Sequence, residues 1–562
     1  MKILIVGGVA GGASTAARLR RNSEKDEIIL FEKGAHISFA NCGLPYYIGN
    51  VITNKEALLL QTPKSFQDRF RVDVRVNSEV VSVNCEKKTV CVKNHDTGET
   101  YIQDYDKLVL SPGAAPIVPE MKGMAFNHVF TLRNIPDAYA IRDYVEHTRP
   151  KSCAIIGGGF IGLEMAENLQ RSGVEVSVIE AASHVMAPID NDMAHDLHNY
   201  MRAKGMKLYL NSRALAVTEN SVVLEKGIEV AADMILMSIG ITPETGFLKD
   251  SGIALGQRGE IIVNDYMETS VKDVYALGDA VSVRHIVSGK QMLIPLAAPA
   301  NKQGRIVADN ICGQKQKYRG SQGTSILKLF EMSIAATGEK EASLMSSGIP
   351  YKKVFTYSLS HAGYYPGGRM MSIKLLFSPD EGKILGAQIV GYEGVDKRID
   401  TFANALRFGL TVYDLQEMEL AYAPPFSSAK DPVNMAGYVA GNVLDGKMKP
   451  FYIEDLSSIQ EEAVLLDVRT DKEFEGGHIH GAVNIPLDSL RSRLKEIDKN
   501  KKVYIICQIG LRGYIAQRIL DQNGYETLNL SGGYRLYRAA EMDEKDEAEF
   551  YRNCLHCGKI IE

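Results

Sequence analysis

Between Ser38 and Tyr47 the chain reads Ser-Phe-Ala-Asn-Cys-Gly-Leu-Pro-Tyr-Tyr, which sets Cys42 among small and turn-forming residues soon after an acidic strand end. A lone cysteine is more often an apolar core filler than a nucleophile, because its reactivity depends on what stabilises the thiolate. A second cysteine, Cys507, follows the strand-like run Val503 to Ile506 and opens Cys-Gln-Ile-Gly-Leu-Arg-Gly ahead of a helix. Backbone N–H groups and the positive end of that helix would lower its pKa and stabilise an anionic persulfide. Arg512 would shape or charge that loop. Two sulfurs of this kind need a source of electrons and a carrier for sulfur.

The elements upstream can supply the electrons. Lys2 to Val6 reads as a buried strand, Gly7-Gly8-Val9-Ala10-Gly11-Gly12 as a tight turn, and Ala13 to Arg21 as a helix. A second strand, Glu27 to Phe31, leads into Glu32. Glycines at this spacing let a pyrophosphate approach the helix N-terminus, and an acid about 20 residues on accepts hydrogen bonds from a ribose. Val9 departs from the pattern at its central glycine. The unit recurs at Ser152 to Ile156, Gly157-Gly158-Gly159-Phe160-Ile161-Gly162, a helix through Arg171, and a strand from Val174 ending at Glu180. Two units predict two dinucleotides, one resident and one exchanging. Ala181 and Ala182 after Glu180 favour a free 2′-hydroxyl, hence NADH over NADPH.

Whole-chain properties exclude several classes. The 562 residues call for several domains, and 45% hydrophobic with 24% charged residues is ordinary for a soluble globular protein. A net charge of -5 leaves no basic footprint for nucleic acid. No apolar run reaches the roughly 18 residues of a membrane span, and Met1 enters a strand directly without a signal-peptide pattern, so a cytoplasmic protein is expected. Eight scattered cysteines suit reduced thiols, with Cys85, Cys91, Cys153 and Cys312 as core fillers. Cys554 and Cys557 form one Cys-x2-Cys pair, too few ligands for a zinc site, so a frayed, redox-labile tail with no metal is expected.

Thr269 to Asp279 ends in Gly278-Asp279, and with the two fingerprints it resembles the flavoprotein disulfide reductase superfamily. That resemblance implies FAD held by Gly7, Gly8, Ala10, Gly11, Gly12, Glu32, Lys33, Asn41, Gly278, Asp279 and Ala298, with Asp279 on the ribityl chain. It implies NADH at Gly157, Gly159, Phe160, Ile161, Gly162 and Glu180. The stretches Ser111 to Ala114 and Ile239 to Pro243 look like the crossovers between the two domains.

Dithiol members of the superfamily carry Cys-x4-Cys, whereas here Tyr47 stands five residues after Cys42. Ser-Phe-x-x-Cys-Gly-Leu-Pro-Tyr instead resembles coenzyme A disulfide reductases. By that resemblance Cys42 cycles through a mixed disulfide with coenzyme A. Tyr364 (or its neighbour Tyr365) and Tyr422 would lie over the site from the other subunit of a homodimer. Ser14, Arg18, Arg21, Ser38, Asn41, Asn301 and Lys430 would contact coenzyme A.

The region from roughly 451 to 540, with Cys507 and Arg512, resembles a rhodanese domain. The expected fold class is α/β: two Rossmann-like dinucleotide-binding domains, an α+β dimerisation domain and a C-terminal α/β rhodanese domain. The predicted boundaries are 1–112 and 240–324 for FAD, 113–239 for NADH, 325–445 for dimerisation, 446–452 as linker, 453–545 for rhodanese and 546–562 as tail. The expected activity is NADH-dependent reduction of coenzyme A disulfide, coenzyme A persulfide or polysulfide. An NADH oxidase or peroxidase acting through a Cys42 sulfenic acid remains the alternative.

Overall fold

The structure, a computed structural model, describes residues 1–460 and 462–556. The chain divides into two compact units: Met1–Ala181 with Ser212–Gly323, and residues 182–211 with those from Thr324 onward.

In the first unit two parallel sheets carry the two fingerprints. One runs in the order Val274–Ala276, Lys107–Leu110, Lys2–Val6, Glu27–Phe31, Asp73–Arg75, each strand parallel to its neighbour. Its central strands are almost wholly buried, as expected for a parallel sheet covered on both faces. Helix Ala10–Asn22 crosses from the first strand to the second, beginning three residues earlier than the sequence suggested. Helix Ala297–Ile311 packs on it closely: a Cβ on Gly304 would sit 2.8 Å from the Gly11 carbonyl oxygen. The second sheet repeats the pattern with Val129–Thr131, Met234–Met237, Ser152–Ile156 and Glu175–Ile179, all parallel. The two stretches read as crossovers pair with each other, with Ile241 opposite Pro116 and Pro243 opposite Ala114.

The second unit contains an antiparallel five-stranded sheet in the order Ser325–Leu329, Met332–Gly338, Ile384–Gly391, Met370–Phe377, Lys352–Leu359. It also contains a parallel sheet in the order Pro450–Phe451, Thr527–Leu530, Val503–Ile506, Val464–Asp467, Val483–Asn484. Pro450 and Phe451 lie within the predicted linker, yet they form an edge strand of this sheet. Helix Asn191–Ala203, from the segment read as NADH-binding, groups with this unit.

Buried ion clusters hold that helix. Lys374, fully buried, reaches Asp192 at 2.6 Å and Asp190 at 2.9 Å and also pairs with Glu341. Burial alone would lower its pKa, but the three carboxylates raise it. His195 Nδ1 and His198 Nδ1 meet Asp543 Oδ2 at 2.7 and 2.8 Å, while Arg202 pairs with the other oxygen of that carboxylate. Asp543 sits on helix Gly533–His556, so residues 546–556 continue a helix where a frayed tail was expected. The Cys-x2-Cys reading ends outside the described residues, at Cys557. Of the four cysteines expected as core fillers only Cys153 is buried, while Cys85, Cys91 and Cys312 are half-buried.

Candidate functional site

The fingerprint glycines divide into two roles. Gly7 (φ +95°) and Gly157 (φ +107°) turn the chain, and a Cβ on them would fall 2.0 and 2.4 Å from the carbonyl oxygens of Ser111 and Ser238. Gly12 and Gly162 let each helix lie on its strand, since a Cβ there would be 1.8 and 2.1 Å from the oxygens of Gly7 and Gly157. A Cβ on Gly159 would meet nothing within 4 Å. This is open space at the N-terminus of helix Phe160–Arg171, beside exposed Ile161. In the first fingerprint Val9 holds the corresponding N-cap position.

Neither helix Ala10–Asn22 nor helix Phe160–Arg171 has a side-chain cap or an acid in its first turn. Their leading N–H groups therefore suit a phosphate. The acids do more than the sequence indicated. Glu32 accepts the Gly8 N–H at 2.8 Å and the Gly34 N–H at 2.9 Å, and Glu180 accepts the Gly158 N–H at 2.8 Å. Each carboxylate braces the turn whose ligand it would also recognise. Burial pushes the Glu32 carboxyl up, against the pull of those two N–H bonds.

Asp279 follows Gly278 (φ +82°), whose N–H donates to Gln303 at 2.8 Å. Among the described residues its half-buried carboxylate has no hydrogen-bond partner. Burial pushes its pKa up, and only Arg133 opposes this. A carboxylate held this way fits a hydroxyl-bearing chain such as the ribityl group of FAD.

Cys42 lies in a single turn, Asn41–Gly43, that leads into the short helix Leu44–Ile48. Asn41 and Cys42 are exposed, yet desolvation pushes the Cys42 thiol up, and the charges of Glu164 and Asp279 push it further. The structure brings Ser14 and Asn301 together, the hydroxyl donating to the amide oxygen. It ties Arg18 to buried Asp309 at 2.7 Å, which occupies a guanidinium read as a coenzyme A contact. Arg21 is exposed at the end of its helix, and Ser38 (φ +45°) donates its N–H to Gly8 at 2.9 Å. Lys33 pairs with Glu244, and Ala298 is exposed in the first turn of helix Ala297–Ile311.

In the second unit, the hydroxyls of Tyr364 and Tyr422 meet at 2.7 Å, with Tyr364 75% and Tyr422 46% exposed. Tyr365 instead sets its edge against His361. Lys430 is exposed.

Cys507 is 1% exposed, and its sulfur accepts the Gly510 N–H at 3.0 Å. The loop closes at Gly510 (φ +104°) and continues into helix Leu511–Gln522. Asn529 fixes the loop by donating to the Gly510 carbonyl at 3.2 Å. The expected lowering of the thiol pKa is corrected here. Burial pushes the Cys507 thiol up, and the N–H groups of Gly513, Ile509 and Gly510 with Arg512 oppose this without overcoming it. Arg512 makes two 2.7 Å bonds to Glu473, holding that carboxyl down at about 2.

Sequence reasoning missed Glu473, Asp543 and Glu164. The one signal for Glu164 is a carboxylate inside the otherwise apolar run Phe160 to Ala166.

The pyridine nucleotide-disulphide oxidoreductase model matches residues 1–304. The chain belongs to that family. The family's dimerisation domain matches residues 324–432, and a rhodanese-like domain matches residues 453–540. The coenzyme A disulfide reductase of Staphylococcus haemolyticus (strain JCSC1435) is 37% identical over 442 residues, covering 78% of this chain and 99% of the relative. The reduced CoADR-RHD of Bacillus anthracis superposes with a TM-score of 0.94 at 49% identity, covering 96% of this chain and 98% of that one. An NAD-dependent persulfide reductase from A. fulgidus superposes at 0.90 with 33% identity, covering 96% and 100%. This member of the family is therefore an oxidoreductase carrying an additional rhodanese domain. No helix among the described residues is long and apolar enough to cross a membrane.

Proposed function

We propose that this enzyme uses NADH, through FAD, to reduce coenzyme A persulfide, polysulfide or coenzyme A disulfide at Cys42, and that Cys507 delivers sulfane sulfur. The observation that carries this reading is that Cys42 has Tyr47 where a dithiol enzyme has its second cysteine, which leaves a small-molecule thiol as the partner for disulfide chemistry. The rhodanese loop in the same chain and the named relatives support sulfur in the substrate.

Bound FAD would supply the two-electron chemistry that links NADH to sulfur. The chain's own residues do the rest. The uncapped helix starts would hold the pyrophosphates, and Glu32 and Glu180 would bind the riboses. The Cys42 thiolate attacks the coenzyme A-bearing sulfur of a disulfide, forming a Cys42–coenzyme A disulfide and expelling the second coenzyme A as thiolate. With a persulfide the same attack expels hydrosulfide. Two electrons and one proton then split the mixed disulfide into the Cys42 thiolate and coenzyme A thiol, and the thiolate or hydrosulfide expelled first takes up a second proton. Each cycle therefore consumes one NADH, which carries one of these protons, and one proton from solution. Tyr364 and Tyr422 of the partner protomer in a homodimer would donate protons to departing thiolates. Ser14, Asn301, Arg21 and Lys430 would hold the coenzyme A. Cys507 would take a sulfane sulfur, hold it in the N–H cradle as a persulfide, and pass it to a coenzyme A thiolate.

The test is anaerobic NADH consumption by the flavin-loaded protein, with coenzyme A persulfide, coenzyme A disulfide and polysulfide offered separately. Turnover with at least one of them, lost in Cys42→Ser, is expected. Consumption that appears only when air is admitted would replace this reading with the oxidase alternative.

A further inference from the structure

Cys42 is not the only group in its neighbourhood able to change charge: Glu164 and Asp279 both act on it. Helix Phe160–Arg171 packs against helix Leu44–Ile48 so closely that a Cβ on Gly49 would fall 2.1 Å from the Asn168 side-chain oxygen. Across this contact the Tyr46 hydroxyl donates to Glu164 Oε1 at 3.3 Å. Glu164 is half-buried, four residues past the open N-terminus at Phe160.

We propose that Glu164, held by Tyr46, is a positioning residue whose charge sets when the Cys42 sulfur ionises. This deepens the reading of Cys42 as the attacking thiolate, and it rests on that reading.

The charged and titratable groups around the pair are few and identifiable. On its own helix Glu164 is followed by Glu167, which Arg171 holds at 2.8 Å. Helix Leu44–Ile48 contributes Tyr46 and Tyr47, with the Arg142 guanidinium from helix Ile135–Thr148 lying 4.4 Å from the Tyr47 ring centre. From the Gly278 turn comes Asp279, opposed by Arg133. Both charged groups that act on Cys42, Glu164 and Asp279, are acidic. Burial, with Glu167 adding to it and the Tyr46 bond opposing, pushes the Glu164 carboxyl up to about 7. Burial and Glu164 also push the Tyr46 phenol up to about 12. Glu164 thus changes charge in the neutral range, where the reaction consumes a proton. Its ionised form disfavours a second negative charge on sulfur, and its neutral form removes that penalty. The two protons titrate as a linked pair.

The experiment follows alkylation of Cys42 by iodoacetamide against pH in the FAD-loaded, NADH-reduced protein under anaerobic conditions. The Cys42 peptide is quantified by mass spectrometry, so the other thiols do not interfere. In Glu164→Gln the profile should move to lower pH by about half a unit or more, raising the rate at pH 7.5 about threefold. In Tyr46→Phe, which leaves Glu164 neutral to higher pH, the rate should rise only between about pH 6 and 8 and rejoin wild type above that range. A Glu164→Gln profile that superimposes on wild type overturns the proposal. If Glu164→Gln does not retain FAD, an unchanged Tyr46→Phe profile overturns it instead. Because alkylation needs no physiological substrate, a shifted profile in a protein that turns over no coenzyme A substrate would support the charge control while removing the proposed function.

Discussion

Burial pushes both Cys42 and Cys507 above the ordinary thiol range, but the charges around the two sulfurs act in opposite directions. Cys42 is exposed on a short turn and faces acidic groups, so its thiolate is disfavoured partly by charge. Cys507 is buried at a strand end, and the N–H groups and Arg512 around it favour the anion that burial opposes. The first arrangement disfavours a standing thiolate and leaves its charge open to change at the neighbouring acids. The second suits a sulfur whose charge moves outward on gaining a further sulfur, because a persulfide carries its anion one bond away from the buried Sγ. Placement of charge separates the two thiols in this molecule: acids oppose the Cys42 anion, whereas N–H groups and Arg512 favour the Cys507 anion.

Exchanging the substitutions breaks this comparison most sharply. Cys42→Ser should reduce NADH-dependent turnover by a factor of about 1000 or more while sulfur transfer from a sulfane donor stays within about twofold of wild type. Cys507→Ser should do the reverse, leaving reduction of coenzyme A disulfide near wild type. Parallel assays of NADH oxidation and sulfur transfer check both.

Arg512→Ala should come next. It removes a cation from the carrier loop and leaves Glu473 without the bonds that hold its carboxyl at about 2. A loss of about tenfold in sulfur transfer is expected, with NADH oxidation unaffected.

A third effect concerns stability. Asp543→Asn leaves Arg202 and two histidines without their shared carboxylate and should cost about 3 kcal/mol, measured as a lowered denaturation midpoint. The wild-type protein should also be acid-sensitive here in two stages. Burial holds the His198 pKa below its ordinary value, so its contribution is full above about pH 6.5 and declines on acidification. The histidines and Arg202, outweighing burial, hold the Asp543 pKa low, so its contribution is present above about pH 4 and lost as pH falls further.

Much of this was legible in the sequence because it depends on local spacing. The fingerprint glycines, the strand-end acids, Gly278-Asp279 and the Cys507 loop each lie within one short segment, and the structure places each on the expected turn. What was not legible depends on residues far apart in the chain. Asp543 meets His195 across more than three hundred residues. Glu473 reaches Arg512 from another helix, and Tyr46 finds Glu164 only because two helices pack. The boundary at 446–452 failed for a similar reason: Pro450 and Phe451 look like linker until Thr527–Leu530 offers an edge to pair with. The choice between Tyr364 and Tyr365 was open in the sequence; the structure pairs Tyr364 with Tyr422 and sets Tyr365 against His361.

The most direct test of the central claim is to locate the two adducts. The flavin-loaded protein would be treated anaerobically, first with coenzyme A disulfide and separately with a sulfane donor such as thiosulfate or polysulfide, and its cysteine peptides mapped by mass spectrometry without reductant. Coenzyme A is expected on the Cys42 peptide in the first case and one added sulfur on the Cys507 peptide in the second. Coenzyme A absent from Cys42, or a Cys42 peptide carrying only oxygen, would contradict it.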